Sequence, residues 1–290
     1  IKRFLQESAP QLGLFFSIIT NFGSEEFYLL FMPLIYWCVH KRIGRHFAYL
    51  FLLSLCINSL GKATFRGPRP FWLDESLAQA EATSFGAPSG HTQLTTFNIF
   101  FLAFYARKFW LWPRAILVVV LRGVSRSYLG VHFLHDVLAG FLLGILVLVG
   151  YWAWERWAGK QLRGRSLGFR MMVAVAVPLG FTAVYILVRL LIGSPSTTVS
   201  YADLIPNGDI DALQDMTTAI AAILAAGVGL LLEQSRVRFR VEGAWSKRLF
   251  RYLLGLTGAV LIWGGLRIIF PTEPLWLVLP LRFLRYTLLM

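Results

Sequence analysis

The chain has 290 residues and a formal net charge of +13, yet 57% of its residues are hydrophobic, only 15% are charged and its mean hydropathy is +0.62. A water-soluble domain of this length needs far less apolar material for its core, so the composition excludes a soluble globular protein and places the chain in a bilayer. Its two cysteines, Cys38 and Cys56, both sit inside apolar stretches, which argues against a disulfide framework and against a cysteine-based metal site.

The opening stretch IKRFLQESAPQLGLFFSIITNFGSEE lacks a compact apolar core followed by a small-residue cleavage signature, and residues 1–26 are expected to form an interfacial segment. Uncharged or nearly uncharged stretches then follow at Phe27–Val39, Phe47–Leu60, Thr92–Ala106, Trp110–Leu121, Val137–Trp154, Met171–Val188, Met216–Leu232 and Tyr252–Leu266. A last piece, Leu275–Leu281 with the following RFLRYTLLM, carries Arg282 and Arg285. Several are shorter than the roughly 20 residues that cross a hydrocarbon core, so tilt, local thinning or flanking polar residues must complete them. The expectation is an all-α polytopic membrane protein with about eight or nine spans.

Basic residues gather in alternate links. Lys41, Arg42 and Arg45; Arg107, Lys108 and Arg114; Arg156 to Arg170; and Arg236 to Arg251 together hold 17 of the 28 Lys and Arg residues. These links are expected to be cytoplasmic. The opposite link, SPSTTVSYADLIPNGDID at 194–211, has three aspartates and no Lys or Arg. Because apolar spans separate the basic residues, the charge reads as an orientation signal and a nucleic-acid partner is not expected.

With that orientation, three polar clusters reach the non-cytoplasmic face. In KATFRGPRP (62–70), Lys62 and Arg69 can approach one anion from two sides, while Gly67, Pro68 and Pro70 turn the chain out of a helix. The alternative is that Lys62, Arg66 and Arg69 are interfacial anchors that snorkel. In APSGHTQ (87–93), Ser89 can cap the next helix and Gly90 leaves its N–H open, forming an anion seat at a helix N-terminus with His91 in the first turn. An ordinary cap with a surface histidine is the alternative there. In RGVSRSYLGVHFLHD (122–136), a helix beginning near His132 would put Asp136 on the same face, able to hold one imidazole nitrogen while the other attacks phosphorus. Arg126 would neutralise the equatorial oxygens, Arg122 would support the site or pair locally, and His135 would face a neighbour or the interface. His91, His132, His135 and Asp136 could nominally hold zinc, but Lys62, Arg69 and Arg126 beside them would repel a divalent cation, so no metal and no cofactor are expected.

These three segments resemble the signature motifs of the type-2 phosphatidic acid phosphatase (PAP2) superfamily: Lys62 followed after six residues by Arg69-Pro70; Pro88-Ser89-Gly90-His91; and Ser125-Arg126, five residues, His132, three residues, Asp136. The resemblance implies a PAP2-like helical bundle in which Lys62, Arg69, Ser89, Gly90 and Arg126 bind the phosphoryl oxygens. It further implies that His132 forms a phosphohistidine, Asp136 orients it and His91 protonates the leaving group. On this reading residues 27–156 form the catalytic membrane core, 157–170 a cytoplasmic basic connector, and 171–290 additional transmembrane helices that pack on the core and depart from the compact six-span form.

A phosphorylated lipid is the expected substrate and partner, because an acyl or prenyl tail could stay in the bilayer while the phosphate meets the site. Phosphatidate, phosphatidylglycerophosphate, polyprenyl diphosphate and sphingoid phosphates are the family's candidates, with no obligate protein partner. RPFW at 69–72 and the roughly nine spans also resemble glucose-6-phosphatase, which keeps a sugar phosphate open. A lipid phosphotransferase and an inactive lipid-binding or transport protein complete the readings. The resemblance and the compact loops suggest a bacterial or archaeal plasma membrane. The segment 71–87, with Asp74, Glu75 and Glu81, is expected to border the pocket.

Overall fold

A computed structural model of the chain describes residues 6–21, 25–80, 82–196 and 198–290. Among these there is no strand, and the long elements are α1 (Leu12–Asn21), α2 (Glu25–Leu34), α3 (Lys41–Phe65), α4 (Gly90–Ala106), α5 (Leu111–Tyr128), α6 (Leu134–Trp154), α7 (Leu167–Ile192), α8 (Ile205–Leu232), α9 (Trp245–Ile269) and α10 (Leu275–Leu289). The protein is an all-α polytopic membrane protein. Among the described residues, five helical stretches are long and apolar enough to cross a bilayer: Lys41–Leu73, Leu134–Arg163, Leu167–Ile192, Ala202–Val237 and Trp245–Ile269. Of the remaining sequence-derived spans, α4 has 17 residues, a length of about 25 Å at 1.5 Å per residue, and α5 carries Arg114, Arg122 and Arg126. Large apolar side chains lie open on the outer surfaces, among them Leu190, Leu191, Leu261 and Ile268, as expected where lipid rather than water is the solvent.

The chain divides into two compact units. One comprises Ile1–Phe27, Ile57–Tyr151 and Tyr185–Leu213; the other comprises Tyr28–Cys56, Trp152–Val184 and Gln214–Met290. All three polar clusters fall in the first unit. That unit also takes in residues 185–213, all of which the sequence groups with the C-terminal addition.

Within the first unit, α1 docks through Phe16 onto Tyr128, Leu129 and Val131 at the end of α5. Gln6 donates to the Tyr128 carbonyl at 2.7 Å, and the Tyr128 hydroxyl donates to the Ala9 carbonyl at 2.8 Å, so the opening segment is tied to the helix that carries Arg126. After α5 the chain reverses at Gly130, whose φ of +73° is left-handed and whose Cα faces the Leu77 carbonyl too closely for any side chain.

Helix α6 approaches α4 along Gly140 and Gly144. A Cβ at Gly140 would run into the Ser89 carbonyl, and one at Gly144 would lie 2.8 Å from the Gln93 carbonyl. This small-residue stripe lets two helix backbones come together without an apolar layer between them. Gly140→Ala is therefore expected to lower the thermal midpoint in detergent, because overpacking of about 1–3 kcal/mol outweighs the helix-propensity gain of about 1 kcal/mol. Gly180→Ala in α7 meets open space and serves as the matched control, and an equal midpoint for both variants would refute the close-approach explanation.

Candidate active site

Lys62 lies in the last turn of α3, one turn after Asn58, so both project from the same helix face. Lys62 Nζ donates to Ser84 Oγ at 2.7 Å. Arg69, 4% exposed, is held by the same loop: its Nε donates to the Ser84 carbonyl at 2.5 Å and one terminal nitrogen to the Phe85 carbonyl at 3.2 Å. Its other terminal nitrogen donates to the Val131 carbonyl at 3.0 Å and lies 3.5 Å from His132 Nε2. Ser84, which the sequence reading passed over, is thus the hydroxyl shared by the two cations of the first cluster. Its only signal in the sequence is a polar residue just before the Pro88-Ser89-Gly90-His91 run.

Ser89 is the N-cap of α4. Its fully buried hydroxyl accepts from the Thr92 N–H at 3.5 Å and from the Thr92 hydroxyl at 3.1 Å, and its own N–H donates to the Asp136 carbonyl at 3.0 Å. Asn58 anchors the same turn by donating to the Pro88 carbonyl and to Gln93 Oε1. A Cβ on Gly90 would come within 3.0 Å of Asn58 Oδ1, which explains glycine at that position through close packing. His91 occupies the first turn, half-buried.

Helix α6 begins at Leu134, two residues after His132, so His132 and Asp136 are brought together by a turn closing onto a helix start. The Phe133 N–H donates to Asp136 Oδ2 at 2.8 Å, and the same oxygen lies 3.6 Å from His132 Nδ1. Both side chains are buried, Asp136 completely and His132 to 2% exposure. His135 has an exposed ring stacked on Phe133, while its Nε2 comes within 3.1 Å of Asp136 Oδ1; a contact to the carboxylate was not expected of it. Arg126 and Arg122 are buried at the end of α5 and both reach α1, Arg126 donating to Thr20 Oγ1 at 2.9 Å and Arg122 to the Ile19 carbonyl.

Lys62, Arg69, Ser89, His91, Arg122, Arg126, His132 and Asp136 therefore belong to one compact unit, and direct contacts link the first cluster to the third and the third to the second. His132 sits in the turn ahead of α6. Burial first, then the positive charges of Arg69 and Arg126, hold its imidazole well below the usual histidine range. Its Nδ1 faces the Asp136 carboxylate and its Nε2 faces Arg69. In the intervening segment, Asp74 spends its carboxylate on the Ser76 N–H and hydroxyl at 3.1 and 2.6 Å, and Glu75 is exposed. Glu81 lies outside the described residues.

Residues 44–160, which contain all three motifs, match the PAP2 superfamily model, and residues 217–290 match the model described as PAP2 superfamily phosphatase, transmembrane extension. The chain belongs to the PAP2 superfamily. Among its relatives, sphingosine-1-phosphate phosphatase 1 of Mus musculus is 30% identical over 46% of this chain and 33% of that protein. Undecaprenyl-diphosphatase of Sulfolobus acidocaldarius is 31% identical over 36% of this chain and 51% of that protein. Glucose-6-phosphatase 3 of Bos taurus is 27% identical over 62% of this chain and 58% of that protein. The aligned region is thus less than two thirds of each relative's length. No solved structure matches the chain.

Proposed function

We propose that the protein is an integral-membrane phosphatase that removes a terminal phosphate from a lipid phosphate or diphosphate through a phosphohistidine intermediate. The observation that carries this reading is the division of the His132 nitrogens: Nδ1 lies 3.6 Å from Asp136 Oδ2, whereas Nε2 lies 3.5 Å from Arg69. A phosphoryl group drawn toward Arg69 meets the Nε2 lone pair, while the Asp136 carboxylate on the Nδ1 side stabilises the charge that develops on the ring.

In the first step Nε2 forms a bond to phosphorus as the bond to the leaving oxygen breaks, and that oxygen takes a proton from His91. Lys62, Arg69, Arg126, the Ser89 hydroxyl and the Gly90 amide stabilise the equatorial oxygens of the trigonal-bipyramidal arrangement. Arg122 supports this cationic wall from the preceding turn of α5. In the second step His91 accepts a proton from water, whose oxygen attacks phosphorus and releases inorganic phosphate and free His132. The four cations supply the charge stabilisation that a metal would otherwise give, so neither metal nor cofactor enters the scheme.

The lipid preference draws on the apolar spans around the site and on relatives named for sphingosine phosphate and undecaprenyl diphosphate. A sugar phosphate is the second reading, favoured by the alignment to glucose-6-phosphatase 3, which is the longest of the three described. A panel of lipid monophosphates, lipid diphosphates and glucose 6-phosphate, assayed with and without chelator, separates the two. Turnover of the sugar alone overturns the lipid assignment, and inhibition by chelator overturns the metal-free scheme. Release of inorganic phosphate distinguishes hydrolysis from transfer to a second lipid. Lipid movement that survives loss of His132 would assign a transport role. The proposed setting is a bacterial or archaeal plasma membrane with the site on the non-cytoplasmic side.

The depressed affinity of His132 for a proton has a kinetic consequence. The neutral, nucleophilic ring persists as pH falls, so the acid limb of kcat/KM that reports it should lie below the usual imidazole value of about 6.5. Removing a neighbouring cation weakens the second-largest cause of the depression, so the limb should move up in Arg69→Gln. An acid limb that stays in place in that variant would remove His132 as its origin.

A further inference from the structure

Between Lys62 and Arg69 stands Arg66, a residue outside the three-motif pattern. It follows the last turn of α3 with a φ of 45°, a left-handed conformation that residues with a side chain adopt at a cost. Its N–H still donates to the Lys62 carbonyl at 3.0 Å, so this one residue sets the direction in which the chain leaves Lys62 and runs to Arg69. Glycine or asparagine is the usual choice for such a turn. An arginine there needs a separate reason.

Its side chain supplies one. Arg66 Nη1 donates at 2.7 Å to the carbonyl of Gly193, which follows the end of α7, and Arg66 Nε lies 3.8 Å from Asp209 Oδ1 at the start of α8. Asp209 is gripped from the other side by Arg189 of α7, in a two-pronged pair at 3.1 and 2.8 Å. The same outer segment packs on the other end of the first cluster: Ile205 and Ala212 form an apolar cluster with Trp72 and Phe85, and Gly208 lets the Trp72 ring approach. Phe85 in turn offers its carbonyl to Arg69. The loop bearing Lys62 and Arg69 is therefore held at both ends by residues 189–212, which lie in neither family-matched segment.

We infer that Arg66, Asp209 and Arg189 form a positioning clamp by which the outer ends of α7 and α8 set the spacing of Lys62 and Arg69 around the phosphoryl group. None of the three is a catalytic residue. Asp209 fixes Arg66, Arg66 fixes the turn, and the turn fixes where the two phosphate-binding cations meet at Ser84. An acidic residue at 209 faces both arginines at once, and without it Arg66, whose side chain is 8% exposed, would keep a largely desolvated charge without its counterion.

This inference rests on the phosphatase reading. The test uses the full-length protein with Asp209→Asn, Arg66→Gly and the double variant, measuring phosphate release from the best substrate of the panel and competitive inhibition by orthovanadate, a mimic of the trigonal-bipyramidal state. Arg66→Gly keeps the left-handed turn available and removes only the side chain, so it separates the clamp from the backbone bend. Both single variants are expected to lower kcat/KM by at least about tenfold, since small displacements of charge-stabilising groups are costly, with the vanadate inhibition constant rising in parallel. The double variant should be little worse than either single one, because both break the same link. Misfolding alone would lower the maximal rate by removing active molecules and leave the inhibition constant unchanged. Wild-type inhibition constants in both single variants therefore overturn the clamp, whatever their maximal rates. A wild-type protein that releases no phosphate from any substrate overturns the proposed function and the clamp's role with it.

Discussion

Replacing His132 by alanine is expected to abolish turnover, with a loss of at least about 10⁴-fold in phosphate release, the scale on which active sites fail when the reacting group or its partner is removed. The size follows from geometry. His132 is the imidazole whose Nε2 faces Arg69, and its side chain is buried. His135, three residues on, has an exposed ring stacked on Phe133 and touches the other oxygen of Asp136, so it cannot stand in for the lost nucleophile. A second measurement keeps the prediction independent of folding. Wild-type protein quenched during turnover should carry an acid-labile, alkali-stable phosphoryl group, and His132→Ala should carry none while still binding vanadate. Near-normal turnover in the alanine variant, or a phosphoenzyme that persists in it, would reject the nucleophile assignment.

Asp136→Asn should cost about 10²–10⁴-fold in kcat, the range seen when the residue that orients a catalytic imidazole loses its charge. The carboxylate is completely buried, accepts the Phe133 N–H at 2.8 Å and lies 3.6 Å from His132 Nδ1. An asparagine carbonyl can keep the Phe133 contact, so the turn should survive. What disappears is the negative charge that stabilises the ring as Nε2 bonds to phosphorus. KM should change much less than kcat, because Asp136 acts on the histidine and not on the bound phosphate. Equal kcat values for Asp136→Asn and wild type would remove Asp136 from the mechanism.

Much of the architecture was legible from composition and pattern. Long uncharged runs can satisfy their backbone in lipid only as helices, so the all-α membrane class follows from α3, α6, α7, α8 and α9 without tertiary information. Helix boundaries were less legible. The apolar run opening at Val137 does not reveal that α6 starts at Leu134, because the first turn there is set by Asp136 reaching back to the Phe133 N–H, a capping contact made by a residue inside the helix. Span count was similarly blurred where Arg122 and Arg126 sit at the end of an apolar helix: arginines that would end a lipid-facing span are buried there beside Ile19 and Thr20.

The candidate site divides in the same way. Residue types and spacing, read together with the resemblance to the PAP2 motifs, pointed to Lys62, Arg69, Ser89, Gly90, His91, Arg126, His132 and Asp136 as candidates, because phosphate chemistry demands cations, a helix N-terminus and an oriented imidazole. Only the tertiary structure decided which imidazole nitrogen faces Asp136 and which faces Arg69, that Ser84 joins Lys62 to Arg69, and that Asp209 and Arg189 brace the turn at Arg66. The physical reason is one of range. Helix-forming tendency and motif spacing are written into neighbouring residues, whereas the partner of a buried charge is chosen by packing between segments that can lie far apart in the chain, as Arg66 and Asp209 do, and a single chain carries no local mark of that choice.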